Sequence, residues 1–327
     1  MQQRELKVML MGAGGNMRNA HLPRIRRDGA VRIVAVADPV ESQARLLMDK
    51  ASGEIPYAAD WRAMLDETDA DAVLISTPHR DHFEQARACL ERGLHVLVEK
   101  PMVIAPEHAH ELLELAAARG LALGVAYQRH WMPHFVYARE LVETGALGDI
   151  RGVVAYVTQH WTGAGGWRLD PELAGGGMFM DTGSHLVASL LWVTGLAPTT
   201  VSATFDNAGF AVDVNGALTV EFEGSAVGTL TTIGNARTHD ERLAIAGSEG
   251  SLVLHLHQWQ VRSMLHNDAL VEVPATIASQ TPDGAFFEDI RSGLAGYEPP
   301  TFALQVARLT EAAYRSAADN APVRVRS

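Results

Sequence analysis

Leu6-Lys7-Val8-Met9-Leu10-Met11-Gly12-Ala13-Gly14-Gly15 is the stretch whose reading decides the fold. An apolar run this short, broken only by Lys7, predicts a strand buried on both faces. It ends directly in a glycine turn, and residues 17–28 follow with a helical pattern. Gly12 permits the tight turn, and Gly14 lets the backbone approach a pyrophosphate. The amides around Gly15, Asn16 and Met17 face such an anion at the helix start. Strand, glycine turn and helix in this order open a dinucleotide-binding fold. Met17 stands where a third glycine is usual, which implies looser helix–strand packing, not loss of binding.

Working outward, residues 31–37 predict a second strand ending at Asp38, and 70–77 a third stopped by Pro78. Residues 94–98 give a fourth, stopped by Glu99-Lys100-Pro101, and 121–127 a fifth. Helical intervals fall at about 40–52, 60–67, 81–92 and 106–119, the last with Pro106 in its first turn and Gly120 beyond its end. Such alternation predicts a parallel sheet with helices on both faces and a ligand at the carboxyl ends of the strands. After about residue 127 the pattern changes. Extended segments at 150–160, 199–206, 217–223, 226–233, 242–246 and 251–257 predict a large, mainly antiparallel sheet. Helices are expected at about 131–144, 178–193 and 301–319. The fold class is therefore an α/β Rossmann domain over 1–125, followed by an α+β domain over 126–327 with an open sheet. The last helix is free to pack back on the first domain.

Composition sets the outer limits. A chain of 327 residues suits two domains, and 47% apolar residues supply full cores. The net charge of -12 argues against non-specific nucleic-acid binding, yet leaves room for an anionic cofactor held by backbone donors. Lys7, Lys50 and Lys100 are the only lysines, so Lys100 needs its own explanation. The single cysteine, Cys89, reads as a small buried apolar residue and allows no intrachain disulfide. With no leader pattern and no long apolar run, no membrane span is expected and the cytoplasm is the default compartment.

Asp38 is placed to accept both adenosine ribose hydroxyls and to repel a 2′-phosphate, so NAD is expected over NADP. The same carboxylate also suits a helix N-cap before Pro39, and both roles are compatible. Asp181 and His185 are four apart and share a face if helical. An imidazole that titrates near neutrality can take the proton of a hydroxyl, and a lysine ammonium can hold a developing alkoxide. Taken singly, Asp181 reads as a cap, His185 as a structural histidine and Lys100 as a solvated charge. Trp167 and Arg168 offer a flat apolar face and a polar fork for a polyol. The alternative is a packed loop in which Trp161 and Trp167 are buried and Arg168 pairs with Asp170. Tyr127 and Arg129 follow the fifth strand and are candidate substrate contacts; Arg129 suits either a substrate carboxylate or phosphate or a salt bridge between domains. His160, His239, His255 and His257 carry no decisive pattern. No compact spacing of ligands suggests a metal site.

These motifs together resemble the glucose-fructose oxidoreductase and inositol dehydrogenase family, Gfo/Idh/MocA. The resemblance covers nearly the whole chain. It rests on Gly12-Ala13-Gly14-Gly15, Ser76-Thr77-Pro78 with His82 beyond, Glu99-Lys100-Pro101, and Gly175 through His185 with Asp181-Thr182-Gly183-Ser184-His185 at its end. It implies oxidation of a secondary alcohol of a sugar or cyclitol, or the reverse reduction. Lys100 would contact nicotinamide ribose and substrate, and His185 would transfer the proton with help from Asp181. Thr77, Pro78, His79, His82 and Glu99 would line the cofactor. His79 stands where many members carry asparagine. The family's open sheet often forms an oligomer interface, so a homodimer or tetramer is expected. Two other functions stay open: a relative that retains NAD for redox-assisted glycoside cleavage or elimination, and a non-catalytic nucleotide-sensing scaffold.

Overall fold

In the computed structural model, which describes residues 4–51 and 53–326, the opening strand β1 is Leu6–Met11. The other strands of its sheet are β2 (Val31–Ala37), β3 (Tyr57–Ala58), β4 (Ala72–Ile75), β5 (His95–Val98) and β6 (Leu123–Val125). They pair in parallel in the order β3-β2-β1-β4-β5-β6. This is the doubly wound Rossmann order, in which the chain reverses direction across the sheet between β1 and β4. β3, two residues long, is too short to signal itself in the sequence. Helices Glu41–Ala51, Trp61–Glu67, His79–Glu91 and Pro106–Arg119 occupy the expected intervals. The expected end of the first of these, position 52, lies outside the described residues. Asp60 caps the second, accepting the Arg62 amide at 2.9 Å.

The chain divides into two compact units by contact. The first takes the chain up to Val103, Glu107–Ala126 and Gln280–Thr301; the second takes Ile104–Pro106, Tyr127–Ser279 and the chain from Phe302 on. Two points differ from a single boundary at 125/126. Helix Thr301–Asp319 belongs almost entirely to the second unit, whereas the sequence left it free to return to the first. The helix that does join the first unit is Pro282–Arg291, which the sequence reading missed. Its start carries a legible signal. Thr281 caps it by accepting the Gly284 amide at 3.0 Å, and Pro282 opens its first turn. It contributes Phe286, Phe287 and Ile290 to the core built on Leu6, Val8, Leu10 and Met17. Each such side chain, fully buried, contributes about 1.5–3 kcal/mol.

The second unit holds a nine-stranded sheet: β7 (Ile150–His160), β8 (Pro198–Asp206), β9 (Asn215–Phe222), β10 (Val227–Ile233), β11 (Asn235–Gly247), β12 (Ser251–His257), β13 (Gln260–His266), β14 (Ala269–Leu270) and β15 (Val323–Arg324). The order is β14-β13-β12-β11-β7-β10-β9-β8-β15. Among the described residues its pairings are antiparallel except β7 with β10. Along β7, Val153, Ala155 and Val157 are buried while Val154 is more than half exposed, so the sheet has one covered and one open face. Helix Ser184–Thr194 packs against β7 and is buried nearly all round.

Candidate functional site

Candidate residues lie in each of the two units. In the first unit the candidate residues sit at carboxyl ends of strands. Gly12 has φ +85°, and a Cβ there would lie 2.5 Å from the Ser76 carbonyl oxygen, so only glycine fits. Gly14 meets no protein atom within 4 Å of an added Cβ. The space beside Gly14 is open, which fits the close approach of a pyrophosphate to its backbone. The Arg18 amide donates to the Gly14 carbonyl at 3.1 Å, which places the amides of Gly15, Asn16 and Met17 in the first helical turn as donors. The Met17 side chain is buried in the core, so only its amide can serve a ligand.

Asp38 is nearly buried. Its Oδ2 accepts the Ala13 amide at 2.7 Å and its Oδ1 accepts the Val40 amide at 2.8 Å. The carboxylate thus ties the glycine turn to the end of β2. Each oxygen keeps further lone-pair capacity, which leaves room for the two ribose hydroxyls. The observed residues fit an NAD-type cofactor on these points.

Around Glu99 the structure reveals a chain of charged groups, buried at His21 and Asp283, that sequence reasoning missed. Arg24 Nη1 donates to Asp283 Oδ2 at 3.0 Å, His21 Nδ1 lies 2.6 Å from Asp283 Oδ1, and His21 Nε2 lies 2.9 Å from Glu99 Oε1. Glu99 Oε2 in turn accepts the Lys100 backbone amide at 3.2 Å. Both ring nitrogens of His21 face carboxylates, an arrangement that needs an imidazolium with two N–H donors. Burial alone would lower the His21 pKa, but the adjacent Asp283 and Glu99 outweigh it and raise it to about 10. Burial would likewise raise Glu99, but His21, Lys100 and Asn16 bring it down to about 2. No local pattern marks His21 and Asp283, 262 positions apart.

These shifts predict a pH profile. The folded His21 lies above its ordinary 6.5, so its stabilisation is full below pH 6.5 and is lost as pH rises through about 10. Glu99 lies below its ordinary 4.5, so its contribution is full above pH 4.5 and is lost as pH falls through about 2. The melting temperature is expected to fall between pH 7 and 10, and His21→Gln to flatten that fall. Scanning calorimetry of both proteins checks it; parallel curves would refute the assignment.

His82 differs from expectation. It was expected to contact cofactor, but it is fully buried, with Nδ1 2.9 Å from the Pro101 carbonyl and Nε2 3.0 Å from the Thr77 carbonyl. Burial pushes its pKa below the ordinary value, so the neutral ring donates to one carbonyl at a time. Its role is to hold the Thr77 and Pro101 turns together. The Thr77 hydroxyl donates to Gln85 Oε1 at 2.7 Å, and Pro78 and buried His79 open helix His79–Glu91.

In the second unit, Asp181 and His185 lie on one continuous helical stretch. A π-helical turn, Phe179–Gly183, leads into helix Ser184–Thr194. Such turns are frequent at functional sites. Asp213 anchors the start, accepting the amides of Gly177 at 2.7 Å and Phe179 at 2.8 Å and the Tyr314 hydroxyl at 2.7 Å. Asp181 is 5% exposed and His185 8%. Two donors converge on Asp181 Oδ2: Trp161 Nε1 at 2.8 Å and Arg168 Nε at 3.0 Å. Arg168 therefore does not pair with Asp170, which instead caps helix Pro171–Ala174. The Arg168 guanidinium also lies over the Trp167 ring at 4.5 Å.

Two proposed substrate contacts need correction. Arg129 is 2% exposed, and its fork grips Glu241 of the same unit, Nη1 to Oε1 at 2.5 Å and Nη2 to Oε2 at 2.6 Å. It neither meets a substrate carboxylate nor bridges domains. Tyr127 is buried and packs edge-on against the His185 ring at 5.8 Å, so it forms the wall behind the imidazole. Trp259 and His239 complete this cluster. Trp259 lies 5.3 Å from His185 and 5.0 Å from His239 by ring centroids. Among the described residues no cluster of three His, Cys, Asp or Glu side chains has metal-ligand geometry, and no helix is long and apolar enough to cross a membrane.

The family model described as "Oxidoreductase family, NAD-binding Rossmann fold" matches residues 6–127, and the "GFO/IDH/MocA C-terminal domain" model matches residues 135–253. The chain belongs to the Gfo/Idh/MocA family. Its first domain is an NAD-binding Rossmann fold. The chain is similar to D-glucoside 3-dehydrogenase of Escherichia coli (strain K12), 32% identical over 192 residues, covering 58% of this chain and 54% of that protein. It is also similar to the rhizopine catabolism protein MocA of Rhizobium meliloti, 30% identical over 210 residues, 64% of each. The matches thus span under two thirds of the length of these curated relatives. Among solved structures, GenD2 from gentamicin A biosynthesis in complex with NAD superposes with a TM-score of 0.84 at 25% identity, covering 99% of this chain and 97% of that one.

Proposed function

We propose that this protein is an NAD-dependent dehydrogenase that interconverts a secondary alcohol and a ketone on a sugar, cyclitol or related polyhydroxy compound. The observation that carries this is the constrained Asp181–His185 pair. One oxygen of the carboxylate is fixed by Trp161 and Arg168, and the imidazole is held by Tyr127 and Trp259. Preorganised groups of this kind suit proton transfer, because little reorganisation is left for the reaction itself. His185 takes the hydroxyl proton, and Asp181 orients the reacting group. Lys100 is assigned the task of holding the developing alkoxide charge, as the family resemblance implies. When bound, oxidised nicotinamide supplies the two-electron acceptor.

Asp38 supports NAD over NADP, because its carboxylate sits at the end of β2 and repels a 2′-phosphate. The curated relative named as a D-glucoside 3-dehydrogenase supports a ring secondary alcohol as the substrate class. We further propose that a second copy covers the open face of the nine-stranded sheet, where Val154 and Val227 are more than half exposed; light scattering reads this directly.

The test is absorbance at 340 nm with purified protein, NAD or NADP, and a panel of glycosides, aldoses, cyclitols and sugar acids. NADH formation with one ring polyol, faster than NADPH formation, is expected. Absence of NAD binding and of turnover across the panel would overturn the proposal.

A further inference from the structure

Strands β12 and β13 are joined by a two-residue turn, Gln258-Trp259, with His257 paired to Gln260 across it. Both turn residues have positive φ, +49° and +66°. That is the geometry that favours Asn-Gly, and a bulky aromatic residue is strained in it. Strain of this sort persists only where the surroundings enforce it, and it gathers at ligand clamps.

Here the surroundings are specific. The Arg129 guanidinium carbon lies 5.4 Å from the Trp259 ring centre, and Arg129 is itself locked by Glu241. His239 meets the indole edge-on at 89°, and His185 lies 5.3 Å away. The Nε2 atom of His239 is buried and has no hydrogen-bond partner. A buried polar atom left unpaired is costly, and a ligand hydroxyl would satisfy it. Beside the imidazole assigned to proton transfer there is thus a flat apolar surface and one unsatisfied nitrogen.

We infer that Trp259 and His239 form the recognition wall for a six-membered polyol ring, either a pyranoside or a cyclitol. The C–H face of the ring lies on the indole, and one ring hydroxyl bonds to His239 Nε2. An open-chain polyol has no such flat face. The buried Arg129–Glu241 pair then acts as a positioning device through Trp259. This inference rests on the function proposed above.

The turn chemistry supplies the test. Gln258→Asn combined with Trp259→Gly installs the favoured turn while deleting the indole, so the hairpin is expected to hold, the favoured turn offsetting part of the packing the indole contributes. His239→Phe is the second variant; it keeps an edge-on ring and removes only the nitrogen. Each protein, saturated with NADH, is titrated calorimetrically with methyl β-D-glucopyranoside and with myo-inositol. Wild type is expected to bind at least one of them, and each variant about tenfold more weakly or worse, with NADH affinity unchanged. If wild type binds a ring and both folded variants bind it equally well, the inference is wrong and the proposed function stands. If wild type binds neither ring, the inference is overturned; if its panel turnover is absent too, the proposed function fails with it.

Discussion

His185→Ala is expected to lower kcat by about 10²–10⁴-fold, the usual contribution of a positioned general base. NAD binding is expected to survive, because the glycine turn, Asp38 and the Glu99 chain all belong to the first unit, whereas His185 belongs to the second. The substrate KM should change far less than kcat, since the proton moves only in the transition state. Tyr127 and Trp259 both pack against the ring, and His185→Asn, which keeps a polar group without an imidazole, should lose nearly as much as alanine. Steady-state kinetics with fluorescence titration of NADH separates the effects. A variant that keeps kcat within about threefold of wild type would remove His185 from proton transfer.

The second large effect concerns stability. Arg129→Leu is expected to cost about 3–5 kcal/mol, because it strands Glu241 in a buried site without its partner. The pair is already under electrostatic load. Burial lowers the Arg129 pKa despite Glu241, and burial raises the Glu241 pKa despite Arg129. Desolvation is therefore not fully recovered by the pairing, so Arg129→Leu with Glu241→Leu should regain most of the loss. The single variant also has a pH signature. Folded Glu241, already raised above its ordinary 4.5, rises further without its cation, so the folded state binds more protons than the unfolded one. Its stability should then fall as pH rises above 4.5. Urea unfolding of the three proteins at two pH values measures both; an Arg129→Leu variant as stable as wild type would show that the pair carries no such burden.

Much of the first unit was legible because its determinants are local. Gly12 takes a positive φ in its own turn, and β1, β2, β4 and β5 are apolar runs bounded by glycine, Asp38, Pro78 and Pro101. The Asp181–His185 spacing reads as helical, and the two residues lie on one helical stretch that begins with a π-helical turn. Helix Pro282–Arg291 also carries a local signal, the Thr281 cap and Pro282 in its first turn. Strand β13 carries none, because its turn, Gln258-Trp259, lacks the glycine, asparagine or aspartate that announces a hairpin.

By itself the sequence determined the Rossmann class of the first unit, the glycine turn expected to meet a cofactor and the candidates for proton transfer, because periodicity, turn chemistry and short spacings act within a few residues. Only the tertiary structure decided that Arg129 answers Glu241, that Arg168 answers Asp181 rather than Asp170, and that His21 stands between Glu99 and Asp283. A charge chooses its partner by proximity and burial after the chain has folded, and nothing in its near sequence records that choice.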